Sequence, residues 1–482
     1  MKFTLLLLFC FISIQVFSKK VSEEKAKKIA ENWSVMKMSK SKGDIDIDKK
    51  IHFISNNDTS LYVFNFKNGG FVIVPTDDNT YPVMAYSNDN QIDLDHIELI
   101  LRDWLYYYAD MIKFNKKEPK EKNIKNNWEK IEACISLKST QTTVPSLFES
   151  TQSSRWAYWR PYFNQAPQAQ SQYYEGYNSC VPGSIARIMK YYKYPLIGTG
   201  IGSGYNNGSY FTQNINSFFN YDQMPFRLTY CGNGQNNCND GSFNLIPGVT
   251  QAQIDEVGKL QYNAGLAAGM EWLGIGDTAK AIAPPTGITG STTNWISAMA
   301  NHFYYATPTS SDYWSSSKIT ADPTGFKSGL RSSLNNGYPI LFRYDTSANG
   351  GHAVVIDGYE NDNYFHFSMG FGGYMDAYYY LFSSDNDGVH LPRPSIIWAG
   401  LDACMNIRPN CPSSQDVTVT NKTVSNGTGE LIQSGNDLLI DHVTIQAGGR
   451  AVLRADHAII ISNDFEVALG GEVLMLCKPC TN

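Results

Sequence analysis

Charge is what this 482-residue chain has little of: Asp, Glu, Lys and Arg make up 17% of it, and the formal net charge is −6. So weak an acidic balance argues against nucleic acid or an anionic membrane as the main partner, since neither attracts such a surface at long range. Long apolar runs are missing after the first residues, and no later stretch reaches the length of a membrane span. Phosphate-loop chemistry is missing too. The glycine-rich stretches "GTGIGSGYNNGS" and "CGNGQNNCNDGS" lack the lysine and the strand–loop–helix setting of a phosphate cradle, and read as solvent loops.

What is present describes a globular, exported protein. Hydrophobic residues reach 42%, and the length exceeds what one core usually serves, so two to four domains are expected. Aromatics stand at 13%, with 30 tyrosines, which suits an extracellular protein rich in sheet. Met1-Lys2 precedes an apolar run from Phe3 to Phe17, and small Ser18 offers a cleavage point. Residues 1–18 therefore read as a signal peptide, and the mature chain as secreted or cell-surface. Cys10 within that run has no lipobox-like small residue before it. Among the later cysteines, 231/238, 404/411 and 477/480 are close neighbours that oxidising surroundings can join. The 477/480 pair reads as a structural bridge, with redox or metal chemistry as the other reading. Cys134 and Cys180 have no local partner, so a cut that removes Cys134 leaves Cys180 as the odd thiol.

The chain divides into units. Residues 19–118 hold a charged amphipathic helix, "EEKAKKIAENW", then two strands around an Asn-Gly-Gly turn in "LYVFNFKNGGFVIVPTDD", then a longer helix, "LDHIELILRDWLYYYADMIKF". Lysine-rich residues 119–143 read as an exposed linker open to proteases. Residues 144–409 form a large central unit, helical first and strand-rich later. Beyond "PNCPSS", residues 410–482 carry short, regularly spaced strands and read as a small all-β module or short solenoid.

Within the central unit, "SCVPGSIARIMKYYKYP" sets Cys180 at a helix mouth. Pro182 fits a first helical turn and nowhere deeper; Ile185, Ile188, Met189 and Tyr192 recur at helical spacing; Pro195 ends the run. Unpaired N–H groups and the helix dipole favour an anion there, and such placement beside a cation lowers a thiol pKa from about 8.5 to roughly 3.5–7.5. A small buried residue at a helix start is the plain alternative. His352, in "GGHAVVID", follows Gly350 and Gly351 and opens a strand that turns at "ENDN" and returns as "YFHFSM". A histidine on that hairpin can serve as the base for the thiol. His366, on the returning strand, reads as structural, and Asp357 and Asp376 as solvated or structural carboxylates.

Together these stretches resemble the streptopain family of secreted bacterial cysteine proteases, papain-like in fold. "SCVPGSIARIMKYYKYP" is similar to the family's nucleophile helix, "GGHAVVIDGYENDNYFHFSMGFGGYMDAYY" to its histidine hairpin, "YDQMP" to a segment between them, and residues 21–118 to its propeptide. The fold implied is α+β: a two-lobed protease domain, an α+β propeptide before it and the β module after it. The resemblance implies Cys180 as nucleophile, His352 as general base and acid, protein or peptide substrates, and the propeptide as intramolecular inhibitor. It requires neither metal nor cofactor. Gly350, Gly351, Met369 and Phe371 would border the substrate.

Several positions depart from the family pattern. Ser368-Met369 stands where Asn-Trp is usual, which makes Ser368 the candidate orienter of the imidazole. Tyr158 stands where a glutamine donates to the oxyanion, and Ser179 replaces a glycine before the nucleophile. Losing one oxyanion donor costs about 10²–10³ in rate. These departures define the alternative: a catalytically degenerate homologue that binds peptides or a protease.

Overall fold

The computed structural model describes residues 18–38, 45–95, 97, 99–117, 122–135, 143–157, 161–167, 180–206, 208–231, 243–272, 280–281, 292–346, 350–360, 364–381 and 398–480. The first unit opens with helix α1 (Glu23–Lys37). Ser22 caps it by accepting the Lys25 N–H, Glu23 and Glu24 face the positive end of its dipole, and Ala26, Ile29, Ala30 and Trp33 form its buried face. Strands β1 (Ile47–Ser55), β2 (Asp58–Phe66), β3 (Phe71–Pro75) and β4 (Ala85–Ser87) then run as an antiparallel meander, with the Asn-Gly-Gly turn between β2 and β3. Helices α2 (Leu99–Asn115) and α3 (Lys122–Glu132) follow.

Helix α3 corrects the reading of residues 119–143 as exposed linker throughout. Ile124, Trp128 and Ile131 fall at i, i+4 and i+7 and are buried in the first unit's core, while Asn32 of α1 donates to the carbonyls of Ile131 and Glu132. Lysines on the other face hide this short apolar stripe from a sequence reading.

The central unit contains α4 (Leu147–Ser150), α5 (Cys180–Tyr192), the hairpin β5 (Ile201–Asn206) and β6 (Ser209–Asn214), β7 (Thr229–Cys231), β8 (Phe243–Leu245) and α6 (Gln251–Ala267). It continues through β9 (Met270–Trp272), β10 (Lys280–Ala281), α7 (Thr292–Phe303), β11 (Tyr313–Ser315), α8 (Ser316–Ala321) and α9 (Pro323–Asn335). Strands β12 (Ile340–Thr346), β13 (Gly350–Glu360), β14 (Tyr364–Ser368), β15 (Ala377–Tyr380) and β16 (Trp398–Cys404) complete it. Among the described residues the main sheet has ten strands, ordered β1-β2-β3-β4-β15-β14-β13-β12-β16-β11. The first and central units thus share one sheet, joined where Tyr86 pairs with Tyr378 and Ala85 with Tyr379. One buried cluster likewise runs from Trp104, Leu105 and Tyr108 of α2 to Ile185 and Ile188 of α5 and Phe367 of β14.

The last unit is a parallel solenoid. Strands β17 (Val417–Val424), β19 (Leu438–Ile445) and β21 (Ile459–Val467) stack on one side; β18 (Gly429–Ser434), β20 (Arg450–Ala455) and β22 (Glu472–Cys477) stack on the other. Val424, Leu438, Ile440, Val443 and Leu453 fill the space between. The cysteines pair differently from their sequence neighbours: Cys411 joins Cys480, closing the solenoid's end onto the junction before it. Cys404 is free and buried in β16, and Cys477 is free and exposed, so neither 404/411 nor 477/480 is a bridge. Cys238 and the apolar segment 1–17, read above as a signal peptide, lie outside the described residues.

Candidate active site

Cys180 is the first residue of α5, with Pro182 in the first turn as its geometry requires, and the thiol is partly exposed. One turn further on, Ser184 donates its hydroxyl to the Ala353 carbonyl at 3.1 Å, which ties the helix mouth to the strand beside His352. His352 opens β13 opposite Tyr344 of β12. Burial raises the Tyr344 phenol well above its ordinary pKa, and Cys180 and Asp103 act on it electrostatically in the same direction. Tyr344 is therefore within electrostatic range of the thiol and in ring contact with the imidazole.

The imidazole is 3% exposed. Its Nε2 lies 2.9 Å from the Met369 carbonyl, the Phe371 ring lies tilted against it at a ring distance of 5.2 Å, and Tyr344 meets it edge-on at 5.7 Å. Because a carbonyl only accepts, Nε2 carries the proton and Nδ1 is the basic nitrogen. Burial pushes the His352 pKa down to about 3, against the upward pull of the Met369 carbonyl, and Arg187 lowers it further. The folded chain holds this imidazole neutral, while the unfolded chain protonates it near 6.5. Its contribution to stability is then fully present above 6.5 and is lost as pH falls towards 3. In a Cys180→Ala background, acidification from pH 6.5 to 5 is expected to cost the parent about 2 kcal/mol more than a His352→Gln variant. Urea melts at the two pH values read this difference, and equal losses would refute it.

Ser368 is buried, but its hydroxyl does not orient the imidazole as expected. It accepts from Arg187 Nη1 at 2.6 Å and donates to Asp376 Oδ2 at 3.4 Å. The reason is position: Ser368 lies at the end of β14 with its side chain on the α5 side, while the backbone one residue on reaches the ring. Asp376 and Asp357 are both buried, so the solvated reading of either is corrected. Asp357 pairs with His366 at 2.6 Å, which gives His366 its structural role. Asp376 accepts the Met369 N–H at 2.6 Å. Burial raises the Asp376 pKa to about 6, against His366, Arg187 and Arg155, which lower it.

The four residues expected to border a substrate are accounted for as follows. Gly350 and Gly351 pair with Thr346 and Asp345 in the β12–β13 ladder, and a Cβ at Gly351 would come within 2.3 Å of Asp345 Oδ1. That glycine makes room for a carboxylate. Met369 and Phe371 are fully buried around the imidazole. Tyr158 lies outside the described residues, but Ala157 before it bridges to Phe371, and Gln261 of α6 donates to the Ala157 carbonyl at 3.1 Å. Sequence reasoning missed Arg187, Tyr344 and Gln261. Only the helical spacing of Arg187 from Cys180, two turns on, could have drawn notice.

Helix α2 covers this site from the first unit. The Trp104 indole is wholly buried, 5.2 Å from the Tyr344 ring and 5.0 Å from those of Phe367 and Tyr379. Polar contacts also join the first and central units: Lys37 pairs with Glu360 at 2.7 Å, Asp89 with Arg155, and Asn90 donates to the Asp376 carbonyl at 2.7 Å. Among the described residues, no three His, Cys, Asp or Glu side chains are grouped to hold a metal ion, and no helix is long and apolar enough to cross a membrane.

A cysteine at a helix mouth, a histidine strand beside it and an amino-terminal unit sharing the sheet define a papain-like cysteine peptidase architecture that retains its propeptide. Comparisons with known proteins support a streptopain-like peptidase with its propeptide: residues 156–379 match the Peptidase C10 family and residues 18–112 the Spi protease inhibitor family. Streptopain of Streptococcus pyogenes is 23% identical over 354 residues, covering 71% of this chain and 79% of that protein. The thiol protease/hemagglutinin PrtT of Porphyromonas gingivalis is 22% identical over 393 residues, 78% of this chain but 40% of that longer protein. A solved fragment of prointerpain A from Prevotella intermedia shares the fold, with a TM-score of 0.51 and 18% identity over 75% of this chain and 98% of the fragment. In architecture, then, the chain is a cysteine-protease zymogen.

Proposed function

We propose that the protein is an exported cysteine endopeptidase in which Cys180 is the nucleophile and His352 the general base and acid. The observation that carries this reading is the Ser184–Ala353 hydrogen bond, which seats the mouth of the cysteine helix beside the histidine strand. Cys180 attacks the scissile carbonyl; His352 takes the thiol proton and returns it to the leaving amine; water then hydrolyses the acyl-enzyme. Tyr158 and the Cys180 backbone N–H are the donors assigned to the oxyanion. In the covered form the buried, neutral imidazole cannot form an ion pair with the thiol. Release of α2 opens the ring to water, restores its basicity and starts activity. Residues 19 to about 140 thus act as the inhibitor until the chain is cut.

Thiol labelling tests the reading. After limited trypsin treatment of the full chain, iodoacetamide near neutral pH is expected to abolish peptide cleavage as Cys180 is alkylated. Mass spectrometry should find a label on Cys180 whose growth tracks the loss of activity, beside that on exposed Cys477, with Cys180→Ala as the control that lacks the Cys180 label. Cleavage that survives alkylation of Cys180 would refute the role of the thiol. Labelling with no cleavage before or after it would favour a homologue that binds without turnover.

A further inference from the structure

We propose that Asp376 and Arg187 are positioning residues that clamp the Ser368–Met369 peptide, so that the Met369 main-chain carbonyl orients His352. The proposal rests on the reading of His352 as the catalytic base. Arg187 donates from Nη1 to the Ser368 carbonyl at 2.8 Å, and Asp376 accepts the Met369 N–H at 2.6 Å. Those two atoms are the polar ends of a single peptide unit. Holding both fixes the plane of that peptide and with it the start of the next, whose carbonyl meets the imidazole Nε2 at 2.9 Å. Gly370, at φ +87°, supplies the left-handed backbone that carries the chain away from this carbonyl.

The clamp also couples the two halves of the dyad. Arg187 lies two helical turns beyond Cys180 and is anchored to its own helix through Nε to the Gly183 carbonyl at 3.1 Å and Nη2 to the Ser184 hydroxyl at 3.0 Å. One guanidinium therefore spans the nucleophile helix and the peptide that holds the base. Its planar fork is suited to fixing several acceptors at once, as a lysine is not. The resemblance places a side-chain amide at position 368, but here the 368 hydroxyl is engaged by Arg187 and Asp376. A backbone acceptor fixed from both sides takes over the task. Among the described residues, the propeptide hydrogen-bonds Asp376 through that residue's main-chain carbonyl, which accepts from Asn90 and Ser87, so changes to the carboxylate leave those bonds in place.

Steady-state kinetics on trypsin-processed full chains, across pH 5 to 9, test the clamp. Ser368→Ala is expected to lower kcat by clearly less than Asp376→Ala does, because Arg187 still holds the Ser368 carbonyl. Asp376→Ala is expected to lower kcat about 10- to 100-fold with KM changed less than threefold and a displaced acid limb of the pH profile. Asp376→Asn, whose amide oxygen can accept the same N–H, is expected to recover most of that loss. Should Asp376→Ala fail to fold, Arg187→Lys carries the test, with a tenfold or larger fall in kcat expected and an unchanged kcat overturning the clamp. A Ser368→Ala loss as large as that of Asp376→Ala overturns it, as does an Asp376→Ala enzyme of normal kcat or a loss that Asp376→Asn does not recover. Inactivity of the processed parent would overturn the peptidase reading, and the clamp with it; an active parent beside an unaffected Asp376→Ala overturns the clamp alone.

Discussion

Trp104→Ala is expected to release the propeptide from the nicked zymogen. The indole is wholly buried and meets Tyr344, Phe367 and Tyr379 of the peptidase unit in edge-on or tilted contacts near 5 Å. Truncating a buried tryptophan costs about 3–5 kcal/mol through lost transfer energy and the cavity left behind. Aromatic pairs of this geometry add about 0.5–1.5 kcal/mol each to what area alone provides. The ion pairs between the two units, Lys37–Glu360 and Asp89–Arg155, are partly exposed and contribute less. Since 1.4 kcal/mol is a factor of about ten, propeptide affinity should fall by roughly a hundred- to several-thousand-fold. In a Cys180→Ala background cut by trypsin, gel filtration should show the parent propeptide co-eluting and the Trp104→Ala propeptide separating. Co-elution of both at equal dilution would show that docking does not depend on the indole.

The parts of this molecule that were legible in its sequence are those set by local chemistry. Pro182 and the spacing of Ile185, Ile188 and Met189 mark α5 and place Cys180 at its mouth; the glycines before His352 and the polar stretch "ENDN" in the sequence mark the histidine hairpin. Asn-Gly-Gly at 68–70 marks the β2–β3 turn, and regular short strands mark the solenoid. What was not legible depends on pairs far apart in the chain. Arg187 meets Ser368 across 181 positions and Cys411 meets Cys480 across 69, and no periodicity announces either. Ser368 misleads for a different reason: a motif compares side chains, whereas the atom that holds the imidazole belongs to the backbone of the next residue. Helix α3 was missed because its three buried residues are outnumbered by lysines and asparagines on the exposed face.

Asp357→Ala is expected to cost about 3–5 kcal/mol of stability, with a pH dependence that identifies its source. The carboxylate is 0% exposed. Oδ2 accepts the Ser146 hydroxyl at 2.6 Å and the Phe148 N–H at 3.0 Å, and Oδ1 meets His366 Nδ1 at 2.6 Å. Alanine would leave a buried hydroxyl, a buried amide and a buried imidazole without this partner, and each lost hydrogen bond of that kind costs about 1–3 kcal/mol. Burial alone would lower the His366 pKa, but the charge and hydrogen bond of Asp357, with Asp376 and Glu149 beyond it, outweigh burial and raise it. A raised histidine contributes stability that is fully present below its ordinary value of 6.5 and is lost as pH climbs through the folded-state value. The gap between parent and Asp357→Ala should accordingly be widest near pH 5.5 and smaller at pH 8.5, as read from urea midpoints in a Cys180→Ala background. A gap that does not change with pH would assign the whole effect to Ser146 and Phe148. Both belong to the first helical turn after the linker, so the variant should also become more sensitive to chymotrypsin at Leu147 and Phe148, where the peptidase unit is fastened to β13.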